Sequence, residues 1–507
     1  MTIRKPSALA RESPPEPVTP RTERRILMWL FVITAATFLI FQEGAITGYD
    51  GGTMYEVTKS MVEQGDVAIS DEWNTLPGRD GRQYGRYGIG LSLFSAIPYM
   101  AAWPLAQFSG DSDQVLEAAV SSAMPLITAL LVVALYLLGR QIGARIGASI
   151  LVAVGAVAGT FVLPYSKEFF AEQLAALFTV VAFERLLVGR AVASGLALGA
   201  ATLTRPQQAL LAPVLVLVAW RRGGISEAIR AMAGIAPGVL ITLVYNHLRF
   251  GQPFSFGYED VGFTTPFVDG ATGLLFNPLK SIFLFAPIII VIPFAIRHLW
   301  QRDRTAFALI TSNLAITFVL TATWFAWHGG WSWGPRLLLP GLVPTIATIG
   351  PWLTTRNRAR VTALLFAFGF AVSFPALIVS TQTQQLEVPR VPPEAHFLDT
   401  QPLSSPSVPR QWELILPTAS YSIEHAYEGR DDGQNYLRYL SLWQFGAMRV
   451  FGHSGLLVAV AGTVMLLVAI AFSLQKLRAA VHDGSVADAV GAVPSTHVLG
   501  GARARAT

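Results

Sequence analysis

Apolar residues in this chain come in blocks of about twenty, divided by short polar stretches. Blocks of that length predict membrane-spanning helices, which need roughly 17–25 mostly apolar residues. Candidates lie near 26–44, 118–138, 145–164, 169–187, 231–248, 280–297, 305–326, 337–353, 359–380 and 453–475. Two further segments, 88–107 and 191–220, are ambiguous by length. Cytoplasmic loops carry an excess of Lys and Arg, and this arbitrates both. If 88–107 dips into the outer leaflet without crossing, Arg140, Arg145, Arg185, Arg190, Arg297, Arg302, Arg304, Arg356, Arg358, Arg360, Lys476 and Arg478 all face the cytoplasm. Pro98 and Pro104 suit a broken, interfacial helix pair there. The stretch 191–220 has Arg205-Pro206 at its middle, and a shallow hairpin keeps Arg221, Arg222 and Arg230 on the cytoplasmic side.

The predicted fold is therefore an all-α polytopic membrane protein of about twelve transmembrane helices, with a re-entrant or interfacial helix pair in the first outer loop and both termini cytoplasmic. Four outer segments of some size result: 45–117, 249–279, a Trp-rich turn at 327–336, and a polar, proline-rich loop at 381–452. The chain divides into a cytoplasmic tail (1–25), a transmembrane module with outer loops (26–340), C-terminal transmembrane helices with the loop 381–452 (341–476), and a second tail (477–507).

Composition agrees. The chain has 507 residues, of which 52% are hydrophobic and only 14% charged; soluble domains carry about 25% charged residues. The net charge of +5 comes largely from Arg in short loops and implies no nucleic-acid partner. The absence of cysteine excludes disulfides, thiolate metal sites and cysteine nucleophiles.

The informative charges are the outer ones, which have no orienting role. Asp50 follows the first apolar block, at the membrane surface, where a base acting on a lipid-borne substrate would sit; its bland alternative is to cap the next helix. Glu168, in the turn Tyr165-Ser166-Lys167-Glu168, and Glu172 lie one helical turn apart on one face. Arg205, submerged beside Pro206, needs an anion, either a protein carboxylate or a phosphate, and guanidinium suits both. The turn Trp327-His328-Gly329-Gly330-Trp331-Ser332-Trp333-Gly334-Pro335-Arg336 has the composition of a binding loop. Asp111-Ser112-Asp113 matches a DxD signature but precedes a helix without nucleotide-binding context, so capping is expected. Asp71-Glu72 reads as a solvated loop face as readily as an acidic pair.

In the order and sidedness of its motifs the chain resembles the polytopic C-type (GT-C) glycosyltransferases that use polyprenyl-phosphate sugars, in the branch of protein mannosyltransferases and the lipid A aminoarabinose transferase. The matching features are Tyr49-Asp50, Arg86-Tyr87-Gly88, Lys167-Glu168, Thr204-Arg205-Pro206, Asn246-His247-Leu248-Arg249-Phe250-Gly251 with Gly257-Tyr258, Gly273-Leu274-Leu275-Phe276-Asn277-Pro278, and the Trp-His-Gly-Gly-Trp turn ending at Arg336. They cover roughly residues 26–340. The resemblance implies a GT-C-like helical bundle and an inverting sugar transfer on the outer face of a membrane, in a bacterial cell the cytoplasmic one. It implies Asp50 as general base and Glu168 as the second acidic position, where some members carry Asp. It implies Arg86, Arg205, Lys280 and Arg336 as donor-phosphate ligands, with Tyr49, Tyr87, Glu172, Tyr258 and His328 lining the substrate.

The chemistry is consistent with such a division. A polyprenyl-phosphate sugar leaves a phosphate monoester, which cations stabilise, and the attacking hydroxyl needs a carboxylate to take its proton. No cofactor is required; a divalent metal is compatible with it, although two acidic positions make a thin ligand set. The expected partners are a polyprenyl-phosphate sugar donor, membrane lipid, and an acceptor that is lipid, polysaccharide or protein. The rival class is a multi-pass secondary transporter. Transporters commonly carry repeated halves and midplane charges, whereas no repeat is visible here and the anomalous charges fall on one side.

Overall fold

The computed structural model describes residues 19–71, 74–258, 261–387, 406–428 and 437–490. Glu72 of the acidic pair, most of both tails and much of the loop 381–452 lie outside these residues.

Pro20 at the first helical position and Thr19, whose hydroxyl accepts the Thr22 N–H at 3.3 Å, start α1 (Pro20–Ile40). The first outer loop holds α2 (Tyr49–Glu63), the hairpin β1 (Thr75–Pro77) and β2 (Gln83–Gly85), and α3 (Gly90–Ala106). In the hairpin Thr75 pairs with Gly85 and Pro77 with Gln83. Next come α4 (Ser112–Ser121), α5 (Ala123–Gln141), α6 (Ile146–Ala158), α7 (Ala171–Leu187), α8 (Ala191–Thr204) and α9 (Ala212–Phe250), which kinks at Gly223 and Gly224. The rest of the bundle is α10 (Phe267–Phe276), α11 (Ile282–Phe285), α12 (Ile292–Arg302), α13 (Arg304–Thr323), α14 (Leu339–Ile346), α15 (Ile349–Trp352) and α16 (Arg356–Ile378). After it come α17 (Val408–Glu413), α18 (Ile415–Glu424) and α19 (Trp443–Val490), the last kinked at Gly452 and packed along α1.

Among the described residues five helical stretches are long and apolar enough to cross a membrane. Other predicted spans are divided into shorter helices near prolines, which lack a backbone donor: Pro287 lies between α11 and α12, Pro293 in the first turn of α12, and Pro340 and Pro344 within α14. One local expectation is corrected. Pro98 and Pro104 do not break 88–107 into a pair, because α3 runs through both as one helix packed on α2 and α4. Leu93, Ile97, Met100, Trp103 and Leu105 on its outer face are exposed, as lipid contact would require.

The bundle has two distinct ends. At one, Arg222 and Gln141 both donate to the Leu187 carbonyl (2.8 and 3.3 Å), the Arg302 guanidinium lies against Gly143, Gly350 abuts Ala144, and Arg25 pairs with Asp483 at 3.5 Å. These contacts draw together loops whose arginines pointed to the cytoplasm. From Arg190 the chain rises through α8, turns at Arg205-Pro206, and returns to Arg222, so 191–222 is a hairpin with its tip at the other end. Glycines allow it to pack. A Cβ on Gly238 of α9 would lie 2.3 Å from the Gly199 carbonyl oxygen of α8, and one on Gly195 2.2 Å from that of Ala231. This is the close, small-residue helix contact favoured in lipid, where burial of apolar surface adds little between helices.

Candidate active site

The opposite end carries the charges singled out in the sequence. Asp50 lies in the first turn of α2, but Gly48 is the N-cap and no side chain caps the helix. The carboxylate instead faces the protein: Oδ1 accepts from the Tyr87 hydroxyl and Oδ2 from Arg336 Nη2, both at 2.6 Å. The capping reading is thereby excluded. Burial opposes ionisation of Asp50, and the Arg336 charge with the Tyr87 hydrogen bond outweighs it, so its carboxyl is held below its ordinary value.

Each partner is held in turn. Asn74 donates to the Tyr87 hydroxyl at 2.8 Å. Arg249, buried with its guanidinium 3.8 Å from the Tyr245 ring centroid, donates to the carbonyls of Gly85 and Tyr87 and to Asn246 Oδ1 at 2.8 Å. It thus pins the strand end that carries Arg86 and Tyr87. Arg86 donates to the Gly257 carbonyl at 3.4 Å, bringing it beside Tyr258, whose ring meets Trp324 edge-on at 5.2 Å. Burial pushes the Tyr258 phenol up to about 12, against the nearby Arg205, so it remains a hydrogen-bond donor.

Arg336 sits over the Phe170 ring, 4.3 Å from its centroid. Its Nε is 3.8 Å from Glu172 Oε1, and that same oxygen is 3.0 Å from Arg205 Nη2. Arg205 therefore has a protein anion, Glu172, which local sequence did not reveal. Two carboxylates and two guanidiniums form one linked group, with Arg86 a further cation at its edge. Arg336 Nε and Nη1 and Arg205 Nε are buried donors without a hydrogen-bond acceptor among the described residues. Buried donors left unsatisfied are costly, and these three belong to the two guanidiniums of this one linked group.

Glu168 lies beside this group. Its Oε1 accepts from the Thr381 hydroxyl at 3.0 Å, and burial pushes its carboxyl up to about 7, against Lys167. Burial likewise draws the Lys167 ammonium down from its ordinary value, while Glu43 and Glu168 oppose this.

Three expected site residues stand elsewhere. Lys280 is buried with its ammonium on the carbonyls of Ser332 (2.6 Å) and Gly330 (3.1 Å), so it clasps the Trp-rich turn. His328 Nδ1 accepts the Gly330 N–H at 3.0 Å; burial, then Lys280, lowers it to about 4, and as a neutral ring it shapes the same turn. Gly329, at φ 73°, leaves room for Arg336, whose Cγ would lie 3.1 Å from an added Cβ. Tyr49 is 69% exposed at the rim. Asp111 accepts the Gln114 N–H at 3.0 Å as the cap of α4, and Asp113 pairs with Lys59 at 3.0 Å, as expected for a structural DxD. No group of three or more His, Asp or Glu among the described residues is arranged to hold a metal ion.

No protein-family model and no curated protein matches the chain. Among solved structures, ArnT from Cupriavidus metallidurans bound to undecaprenyl phosphate aligns with it at 17% identity and a TM-score of 0.42, over 94% of this chain and 76% of that one. The apo state of the same protein aligns at 16% identity and a TM-score of 0.44, over 92% and 75%. At such scores the likeness carries neither fold nor function across, and the functional reading rests on the residues themselves.

Proposed function

We propose that this chain is a membrane glycosyltransferase that moves a sugar from a polyprenyl-phosphate carrier to an acceptor hydroxyl at the outer face of the membrane, with inversion. The observation that carries the reading is the pairing of Asp50 with Tyr87 and Arg336 beside three unsatisfied buried guanidinium donors.

The donor's phosphate would accept from Arg336 and Arg205, with Arg86 at the edge. As the bond from the anomeric carbon to the phosphate oxygen breaks, charge builds on that oxygen, and preorganised cations stabilise it. The acceptor oxygen forms the new bond from the opposite face, and its proton passes to Asp50. The products are the glycosylated acceptor and polyprenyl phosphate. A carboxylate paired with Arg is a weak base. When Arg336 turns to the phosphate, Asp50 loses its main counter-charge and its proton affinity rises, so the base strengthens as the donor loads. Glu168 supplies a second carboxylate beside the group. Lys280 is left out of phosphate binding, since carbonyls already occupy its ammonium.

The test is incubation of the purified protein with a panel of polyprenyl-phosphate sugars. Release of polyprenyl phosphate that depends on an acceptor and on Asp50 is expected; absence of release across the panel would refute the reading.

A further inference from the structure

The segment after α16 belongs by sequence to the C-terminal part of the chain (341–476), with its loop 381–452. Its first residues lie against the site. On its outer side Val379 bridges Leu440, Thr383 donates to the Leu437 carbonyl at 2.7 Å, and Gln411 Nε2 donates to the carbonyls of Val379 (2.9 Å) and Ser380 (3.1 Å). On its inner side Thr381, 1% exposed, donates to Glu168, and its carbonyl accepts from Trp331 Nε1 at 2.6 Å. Gln382 returns a bond to the Trp331 carbonyl at 3.2 Å. Among the described residues the Thr381 hydroxyl is the one hydrogen-bond donor to the Glu168 side chain, and Glu168 Oε2 is buried without any.

We propose that Thr381 is a positioning residue of the catalytic centre: its hydroxyl orients the Glu168 carboxylate while its carbonyl fixes Trp331, so that the C-terminal outer segment completes a site otherwise built by the first 340 residues. The inference rests on the glycosyltransferase reading and on Glu168 working there as a carboxylate. The charged and titratable groups around Glu168 are Lys167 beside it, Glu43 from the end of α1, Arg336 from the Trp-rich turn, and Lys280 and Tyr165. None of them replaces a hydroxyl donor aimed at Oε1. Losing that donor weakens the ionised form.

The experiment measures transfer against pH for Thr381→Val, which keeps the shape, and Thr381→Ser, which keeps the hydroxyl. The acidic limb, near pH 7 in the parent, should move up by about one unit in the Val variant, with lower kcat and little change in KM. The Ser variant should retain the parent profile. If the Val variant is not recovered from membranes, Thr381→Ala against Thr381→Ser isolates the same oxygen. An unmoved limb in the Val or Ala variant overturns the proposal, as does a Ser variant that behaves like Val. Failure of the underlying reading looks different, because the parent protein would then release no polyprenyl phosphate at any pH.

Discussion

Asp50→Asn keeps the size and hydrogen-bonding reach of the side chain while removing its basicity. With a general base lost, transfer should fall on the order of 10²–10⁴-fold, with unchanged protein level in the membrane; near-parent transfer would move the base to Glu168. Arg205 needs a gentler probe. Arg205→Ala would break a buried ion pair and leave Glu172 with only the longer contact to Arg336 at 3.8 Å, at a cost of up to about 3–5 kcal/mol, confounding folding with function. Arg205→Lys keeps the charge and loses the planar fork, so we expect reduced donor use at normal expression, measured by initial rates against donor concentration. The pH profile follows from the same residues. In the donor-free protein Asp50 is held below its ordinary value and His328 lies at about 4, so an acidic limb of kcat/KM near pH 7 is expected from Glu168, with activity rising as it ionises. Asp50, Arg205 and Arg336 were legible in the sequence because each is a charge with no orienting role. Their partners were not: Arg336 lies 286 positions from Asp50 and Thr381 lies 213 from Glu168, separations that carry no local signal. Lys280 misled for the opposite reason, since a basic residue at the end of a span reads alike whether it faces a phosphate or the carbonyls of Gly330 and Ser332.

The hairpin of α8 and the first part of α9 exists to put Arg205 at the level of Glu172. Its packing depends on glycine, so Gly238→Ala should force α8 and α9 apart. Such overpacking typically costs about 1–3 kcal/mol; a lower thermal midpoint in detergent, with a parallel loss of donor use, is the expected outcome. A parent-like midpoint would show that the two helices accommodate the methyl. The hairpin was readable because Arg205-Pro206 interrupts an apolar run of the wrong length for one helix. The continuity of α3 was not, because proline only weakens a helix locally and neighbouring helices and side chains can satisfy the freed carbonyl. The Asp50-bearing helix α2 was visible as a start without an end, since its mixed composition gives little apolar periodicity.

For the molecule as a whole, we propose that the arginine-rich end of the bundle faces the cytoplasm and the opposite end faces outward. Because the chain has no cysteine, single probes report without background. Cysteine at Asp80, exposed in the hairpin turn beside the site, should react with an impermeant thiol reagent in intact cells. Cysteine at Thr355, exposed at the start of α16 on the arginine-rich end, should react only after permeabilisation. Labelling of position 355 from outside would invert the assignment and with it the outward-facing site. That the segment after α16 would fold back onto Glu168 and the Trp-rich turn was not legible, because its polar sequence resembles any surface segment.

The ion pair between Asp50 and Arg336 has one more consequence. With no donor bound, the carboxylate is a stand-in for the substrate's own anion, a built-in competitor at full occupancy. Donor must therefore evict it, and part of the intrinsic affinity is hidden. Removing that competitor should unmask it: Asp50→Asn, the variant expected to transfer slowest, should retain labelled polyprenyl-phosphate sugar about tenfold more tightly, equivalent to ~1.4 kcal/mol. Equilibrium retention in nanodiscs would measure it, and the same variant would serve as a trap for capturing the natural donor from membranes.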